Sequence, residues 1–337
     1  MTSYLATMEE CVIEITRRNG KWQFTRYLEH TSPLCVATDP SGSGIYVGTL
    51  NDGLFRSSDS GGSWVAIGEE IDSRRITALA IDTENRIWAG IEPTKLYRSD
   101  DGGDTWTERM GIDELPSATE WSYPPRPETH NAHWIEPDPT VPDRVYVCVE
   151  QGAVVRTMDG GQTWSDRVPD SPRDVHTLRT HPNAPGRLYA ATGDGAERPG
   201  RGYAESHDYG ESWQYPNDGL DKQYLMSVAV DVGDPDVVLV SASTAPRQTD
   251  DFDAVSSGIY RRIRDDSWKR CTSGLPDETG LTPPTLTASR NEPGRLFAAT
   301  NRGFFRTDDC GGSWNRLETE WPEEFRNQFP RSVAVSE

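Results

Sequence analysis

The sequence predicts an all-β fold, a seven-bladed β-propeller, and three observations support that prediction. A short motif ending in tryptophan recurs along the chain, and the same order of short alternating strands surrounds each copy. Four strands in a repeat of roughly 40–50 residues are typical of a propeller blade. The first repeat also lacks an inner strand that the C-terminal segment could supply. We therefore expect residues 1–337 to form a single domain.

The recurring motif reads S/T-x-D-x-G-x-S/T-W. Its full copies are SSDSGGSW (57–64), SDDGGDTW (99–106), TMDGGQTW (157–164), SHDYGESW (206–213) and TDDCGGSW (307–314). Two degenerate copies, TRRNGKW ending at Trp22 and IRDDSW ending at Trp268, bring the repeats to seven. The aspartate can accept hydrogen bonds from the turn's own backbone, and glycine tolerates a positive φ. The tryptophan enters the next strand and packs between layers.

The strands around each motif and the two chain ends complete the predicted ring. TALAID, RIWAGI and KLYRS precede the motif at Trp106, and PLCVATD, GIYVGT and GLFRS precede the motif at Trp64. The N-terminal segment YLATMEECVIEITRRNGKWQFTRYL aligns with RLFAATNRGFFRTDDCGGSWNRLE but has no innermost strand. The C-terminal PRSVAV resembles such a strand. We expect it to complete the first blade and leave no exposed sheet edge.

Composition excludes several classes of function. The formal net charge of −20 disfavours nucleic acid and anionic membranes as partners. Apolar runs are only as long as strands, so no membrane span is expected. The segment MTSYLATMEECVIEITRR has acidic residues where a secretory signal needs a basic start, which predicts a cytoplasmic protein. Five cysteines without a C-x-x-C pair predict neither a disulfide framework nor a cysteine zinc site. We expect a monomer.

The turn motif and its strand order resemble the Asp-box, or BNR, repeat of sialidases, sortilin-type receptors, xyloglucanases and photosystem assembly factors. The resemblance covers nearly the whole chain and implies a propeller. It does not select a function, because the families that share the repeat include enzymes, receptors and assembly factors.

Three blades carry extra residues that should gather on one face. The motif tryptophans of the plain blades are 42 residues apart, and the fourth, fifth and sixth blades are longer. The additional residues fall in connections expected opposite the Asp-box turns, in segments 117–130, 193–205 and 243–258. Loops on a rigid scaffold often carry function. We expect these segments to wall a pocket.

Two histidines occupy equivalent positions in neighbouring blades. HWIEPDPTVPDRVY from His133 aligns without a gap with HTLRTHPNAPGRLY from His176. Both should therefore start an inner strand at the mouth of the central channel. Asn131 and Asp174 lie two residues earlier and should point the same way. Tyr224 is assigned to the corresponding place in the sixth blade.

These residues suggest an enzyme, a hydrolase or lyase acting on a small polar or carbohydrate-like ligand. His133 or His176 would be the general base, or both would bind one divalent metal ion. A metal would need a third ligand, for which His130 and Asp174 are the nearest candidates. The alternative interpretation is that each imidazole only hydrogen-bonds a neighbouring strand and fills the channel.

The loop of the fifth blade supplies further candidates for binding the substrate. Asp194, Arg201 and Tyr203 all fall within it. Arginine and tyrosine would hold carboxylate and hydroxyl groups of the ligand.

Two other functions follow from the resemblance. A non-catalytic propeller that binds a ligand or a protein is implied by the assembly factors. A sialidase is disfavoured, because those enzymes use six blades, an arginine triad and a Tyr–Glu nucleophile pair, and no Arg-Ile-Pro segment or triad is found here. A xyloglucanase places its carboxylates between two propellers, whereas this chain supplies one.

Overall fold

The computed structural model describes residues 3–40, 42, 44–244 and 252–336, and these form 26 strands in seven antiparallel sheets. The first blade contains β1 (Ser3–Thr7), β2 (Val12–Arg18) and β3 (Lys21–Tyr27). The second contains β4 (Pro33–Thr38), β5 (Ile45–Thr49), β6 (Leu54–Ser57) and β7 (Val65–Ile67). The third contains β8 (Ile76–Ile81), β9 (Ile87–Ile91), β10 (Leu96–Ser99) and β11 (Thr107–Glu108).

The remaining blades follow in chain order. The fourth contains β12 (Ala132–Pro137), β13 (Val145–Val149) and β14 (Ala153–Thr157), and the fifth β15 (Val175–Arg179), β16 (Leu188–Thr192) and β17 (Tyr203–Ser206). The sixth contains β18 (Tyr224–Val230), β19 (Val237–Ser243), β20 (Ser257–Ile263) and β21 (Lys269–Cys271). The seventh contains β22 (Thr285–Ala288), β23 (Leu296–Thr300), β24 (Gly303–Thr307) and β25 (Asn315–Arg316), and the last strand is β26 (Ser332–Ser336).

The C-terminal strand closes the ring as predicted. β26 pairs antiparallel with β1, from Ser3 opposite Ser336 to Thr7 opposite Ser332. It is the innermost strand of the first blade, whose sheet order is β26-β1-β2-β3. The predicted seven-bladed propeller is therefore confirmed, with its first blade built from both ends of the described chain.

Two blades have a shortened outer edge. The sheets of the fourth and fifth blades contain three strands each, where four were expected. A single antiparallel bridge replaces the outer strand in each, Arg156 with Ser165 and Glu205 with Gln214. In these two blades the chain thus still passes along the outer edge of the sheet but pairs with it through a single bridge.

The Asp-box turns connect the third and fourth strands of their blades. In one of them Asp159 accepts hydrogen bonds from the Thr163 amide (2.9 Å) and hydroxyl (2.7 Å) and from the Thr157 hydroxyl (2.8 Å). Gly161 takes a positive φ of 85° and donates its amide to Thr157 Oγ1. Equivalent bonds form at Asp59, Asp101, Asp208 and Asp309. The resemblance to Asp-box propellers is confirmed at the level of the fold.

The hydrophobic core lies between neighbouring blades and leaves a channel on the axis. One cluster joins Trp88 of the third blade to Ile135 and Val147 of the fourth, all nearly inaccessible to solvent. Inner strands of all seven blades line a cavity of about 960 Å³. Polar inner-strand positions can face this cavity, because the packing between blades already buries the apolar side chains.

The long connections lie at the end of the strands opposite the Asp-box turns. They join second to third strands, or the outer strand of one blade to the inner strand of the next. Short 3-10 helices occur in these connections, at Pro116–Glu120, Asp194–Ala196, Phe252–Ala254 and Glu323–Asn327. Part of the predicted wall, residues 245–251, lies outside the described residues.

Candidate functional site

Five inner strands carry a β-bulge at the same position, and the two aligned histidines are bulge residues. The strand register shifts at Leu34, Thr77, His133, His176 and Met226. All five side chains line the axial cavity. A bulge leaves its extra residue out of the ladder and redirects its side chain. This explains why an imidazole in a strand pairing region can face the cavity.

Tyr224 lies two residues before the bulge residue Met226 of β18, as Asn131 lies before His133 and Asp174 before His176. It is therefore equivalent to Asn131 and Asp174. Tyr224 lines the cavity, and its hydroxyl lies 3.4 Å from His176 Nε2.

The two imidazoles lie side by side. The ring centroids of His133 and His176 are 5.7 Å apart. His176 Nδ1 lies 2.6 Å from the carbonyl oxygen of Leu225. Because a carbonyl only accepts, Nδ1 carries the proton of this bond, and Nε2 of a neutral ring offers its lone pair. His176 is almost fully buried, whereas 27% of the His133 side chain is exposed.

Two carboxylates complete the group around the histidines. Glu150 contacts His133 Nδ1 through its carboxylate. Asp174 Oδ1 lies 3.7 Å from His176 Nε2. Burial is the main cause that raises the pKa of the Asp174 carboxyl to about 6; the negative charges of Glu150 and Asp194 act in the same direction, and the two histidines oppose the increase. Glu150, Asp174 and His176 each present one donor atom within 4.8 Å of the others.

A glycine allows this close arrangement. A Cβ atom at Gly193 would lie 2.0 Å from Asp174 Oδ2 and 2.9 Å from His176 Cε1. Gly193 has a φ of −80°, so space rather than backbone conformation requires glycine there. Its amide donates to the Asp174 carbonyl at 2.8 Å.

Asp194 supports the site from behind. Its carboxylate accepts the backbone amides of Arg173 (2.9 Å) and Asp174 (3.2 Å). It thereby holds the backbone that leads into β15. Asn131 is buried and borders the cavity, and its carbonyl accepts the amide of Glu150.

The structure places three other candidates away from the cavity. Tyr203 is fully buried between the fifth and sixth blades, where it contacts the Trp268 ring and donates its hydroxyl to Glu205. Arg201 lies over the ring of Tyr215, 4.0 Å from its centroid. His130 contacts Thr94 Oγ1 at 2.9 Å and the edge of the Trp121 ring. These side chains have partners of their own, so the fifth-blade loop contributes mainly Gly193 and Asp194.

Charged residues that sequence reasoning missed surround the mouth of the cavity. Arg126 and Arg75 approach the carboxylate of Glu92 at 2.6 Å and 3.7 Å. Arg331 also lines the cavity; its Nη1 is buried, and no acceptor in the described part of the chain reaches it. Burial lowers the pKa of the Arg331 guanidinium.

One sequence signal could have identified the missed carboxylates. Glu92 and Glu150 each directly follow the second strand of a blade, as Gly193 does in the fifth. Aligning IWAGIE, VYVCVE and LYAATG at their last residue puts all three at the same mouth. The arginines had no such signal, because only the closed ring brings Arg331 beside the third and fourth blades.

No family model matches the chain. A curated relative, the photosystem II assembly lipoprotein Ycf48 of Synechococcus sp. (strain CC9902), is 28% identical over 172 residues. That match covers 50% of this chain and 46% of the relative, so the matched segment spans less than half of the relative's length.

Solved structures share the fold at low sequence identity. The GH74 enzyme of Niastella koreensis has a TM-score of 0.67 at 18% identity, covering 93% of this chain and 51% of that chain. A structure described as YCF48 bound to D1 peptide has a TM-score of 0.61 at 15% identity, covering 90% and 92%. YCF48 from Cyanidioschyzon merolae has a TM-score of 0.57 at 12% identity, covering 90% of this chain and 95% of that chain. No helix within the described residues is long and apolar enough to cross a bilayer.

Proposed function

We propose that the protein is a hydrolase or lyase that acts on a small anionic or carbohydrate-like substrate at the mouth of the axial channel. The observation that carries the proposal is the pair of neighbouring imidazoles in the wall of a cavity of about 960 Å³. Both rings are anchored through Nδ1, one to a carboxylate and one to a backbone carbonyl.

His133 is suited to act as the general base. Its Nδ1 contacts Glu150, which orients the ring and favours a proton on that nitrogen, so that Nε2 can accept another. In a hydrolase the proton comes from the attacking water. In a lyase it comes from a carbon beside a carboxylate, and the electron pair of that C–H bond forms the new double bond as the leaving group departs.

The arginines at the mouth suit a ligand that carries negative charge. Arg75 and Arg126 share the carboxylate of Glu92, and Arg331 has a buried nitrogen that no described acceptor reaches. A carboxylate on the substrate would satisfy Arg331, which lines the same cavity as His133. Charge that develops during either reaction would be stabilised by the same guanidinium groups.

A second candidate is a propeller that binds a peptide without chemistry. The similarity to the photosystem II assembly lipoprotein and to the structure with a bound D1 peptide favours it. The same arginines could bind the C-terminal carboxylate of a peptide. In that case His133 would contribute a hydrogen bond rather than accept a proton.

The test is a panel of glycosides, uronic-acid oligosaccharides and peptides with free C-termini, followed by NMR for turnover and by calorimetry for binding. We expect turnover of an anionic sugar substrate and a kcat lower by roughly 10²-fold or more in His133→Ala. The matched control is His207→Ala, which removes a histidine that is 53% exposed beside an Asp-box turn.

Two results would contradict the enzyme proposal. An unchanged kcat in His133→Ala would remove the proposed base. Binding of a peptide, together with no turnover of any substrate by the folded chain, would favour the second candidate. In that outcome Arg331→Gln should weaken peptide binding, while His207→Ala should not.

A further inference from the structure

Three donor atoms of the types that bind transition metals converge beside the cavity. They come from Glu150, directly after β13, from Asp174, directly before β15, and from His176 within β15. All three lie within 4.8 Å of one another, and the three residues are buried. An imidazole nitrogen with two carboxylate oxygens is a ligand set for first-row divalent ions.

The orientation of His176 fits a metal ligand. Its Nδ1 is bonded to the Leu225 carbonyl at 2.6 Å, which leaves Nε2 on the side of Asp174. Metal-binding histidines commonly donate their second nitrogen to a backbone carbonyl or a carboxylate in this way. The same contact fixes the tautomer that a metal requires.

Asp174 provides an independent indication of a cation. Its side chain is 10% exposed, and no donor in the described part of the chain hydrogen-bonds to Oδ1. A buried carboxylate oxygen without a hydrogen-bond donor is unfavourable, because nothing replaces the water that it lost on burial. Asp194 and Gly193 hold the backbone of Asp174 through its amide and its carbonyl.

The neighbourhood is fitted closely to these ligands. Gly193 leaves space that a methyl group would take from both Asp174 and His176. His133 contacts the Glu150 carboxylate and so orients it. The sequence had suggested His133 and His176 as the metal ligands; the distances instead favour Glu150 and Asp174 as partners of His176.

We propose that Glu150, Asp174 and His176 bind one first-row divalent transition metal ion, such as Mn²⁺ or Zn²⁺, and that His133 orients Glu150. Imidazole favours these ions over Ca²⁺ and Mg²⁺, which prefer all-oxygen sites. Use of the ion in catalysis rests on the proposed function, but binding of the ion does not. A bound ion would polarise a substrate oxygen or a water close to His133.

The experiment titrates the chelator-treated full chain with MnCl2 and with ZnCl2 by calorimetry, and follows bound Mn²⁺ by electron paramagnetic resonance. We expect one ion per chain. Asp174→Asn and Glu150→Gln, which keep the side-chain shape, should each weaken binding roughly 100-fold or more, beyond the 10–100-fold typical of residues that only orient ligands. Melting curves verify that each variant is folded.

The matched control is Glu92→Gln. This carboxylate follows β9 as Glu150 follows β13, and it lines the same cavity but pairs with Arg126. Its replacement should leave metal affinity unchanged. Absence of saturable binding of either ion to the folded chain, or equal binding by all three variants, would overturn the proposal.

The proposed metal site and the proposed enzymatic activity can be contradicted independently of each other. Metal binding that depends on Asp174, without turnover of any substrate, would leave the site standing and remove the enzyme. Turnover that depends on His133 in the chelator-treated chain, without metal binding, would support the enzyme and contradict the metal site.

Discussion

Asp174 is placed where the requirements of folding and of the proposed metal binding conflict. Its carboxylate is buried beside Glu150, and one oxygen accepts no hydrogen bond within the described residues. A side chain selected only for stability would be neutral or would have donors around both oxygens. The arrangement instead agrees with the proposed role of Asp174 as a metal ligand.

Asp174→Asn should therefore separate stability from binding. We expect the melting temperature of the metal-free variant to equal or exceed that of the unmodified chain, because a buried charge is removed at little change in shape. An ion at 100 times its Kd adds about 2.7 kcal/mol to the stability of the unmodified chain. That increase should disappear in the variant, as measured by scanning fluorimetry with and without MnCl2.

The control for this measurement is Glu92→Gln, which should retain the stabilisation by Mn²⁺. A loss of more than about 2 kcal/mol in metal-free Asp174→Asn would show that the carboxylate is a structural partner, since losses of that size accompany broken buried networks.

At the scale of the element, the Asp-box turn is a local hydrogen-bonded unit remote from the cavity. Its aspartate accepts several donors from the following four residues, so the turn depends little on the rest of the fold. Hydrogen bonds from Thr163 and from backbone amides hold the pKa of Asp159 at about 2.

Asp159→Ala should lower the free energy of unfolding by roughly 1–2 kcal/mol through lost turn hydrogen bonds. Ligand and metal affinity should be unchanged at temperatures where the variant is folded, because the turn lies at the opposite end of the strands. Urea unfolding and calorimetry measure the two effects. A large loss of binding at unchanged stability would place function on the Asp-box face.

The difference in the free energy of unfolding between the unmodified chain and Asp159→Ala should depend on pH. The folded pKa of Asp159, about 2, lies below its ordinary value of 3.8. The stability that its charge contributes is therefore present above about pH 4 and is lost as the pH falls toward 2. The difference between the unmodified chain and Asp159→Ala should narrow over that interval. A constant difference from pH 6 to pH 2 would contradict the role of the charged form.

Elements of this kind explain what the sequence could predict. The box turn forms from residues adjacent in the chain, so its seven copies revealed the blades, and the missing inner strand near Tyr4 indicated the closure. The bulge histidines were aligned correctly because their strands have equal lengths before the bulge. Tyr224 lies two residues before the bulge of β18, as Asn131 and Asp174 do in their own blades.

Contacts between blades were the part that sequence could not supply. Tyr203 is polar and was assigned to the long loop of the fifth blade, yet it begins β17 and packs against Trp268 between the blades. Glu150 approaches His133 of its own blade and Asp174 of the next, which requires the twist of both sheets. Such contacts depend on side-chain packing between neighbouring blades, and no local sequence pattern encodes them.

At the scale of the whole molecule, closure of the ring connects stability to the site. β26 pairs with β1 along its whole length, and Ala334 and Val335 are buried. The Ser332 hydroxyl also accepts the Val36 amide of the second blade at 3.2 Å. The residues just before β26 supply Phe329 and Arg331 to the cavity. One short segment therefore seals the first blade and completes the mouth.

Deleting residues 329–337 should lower the melting temperature substantially, because several kcal/mol of apolar burial and ladder bonding are lost and β1 becomes an exposed edge. The truncated chain should also aggregate more readily through that edge. A synthetic peptide of residues 329–337, added in excess, should pair with β1 and restore part of the lost stability in a concentration-dependent manner. The same peptide with Ala334→Asp and Val335→Asp is the control, since it puts charges at buried positions and should not rescue. A truncated chain that melts at the temperature of the full one would show that the ring does not depend on this closure.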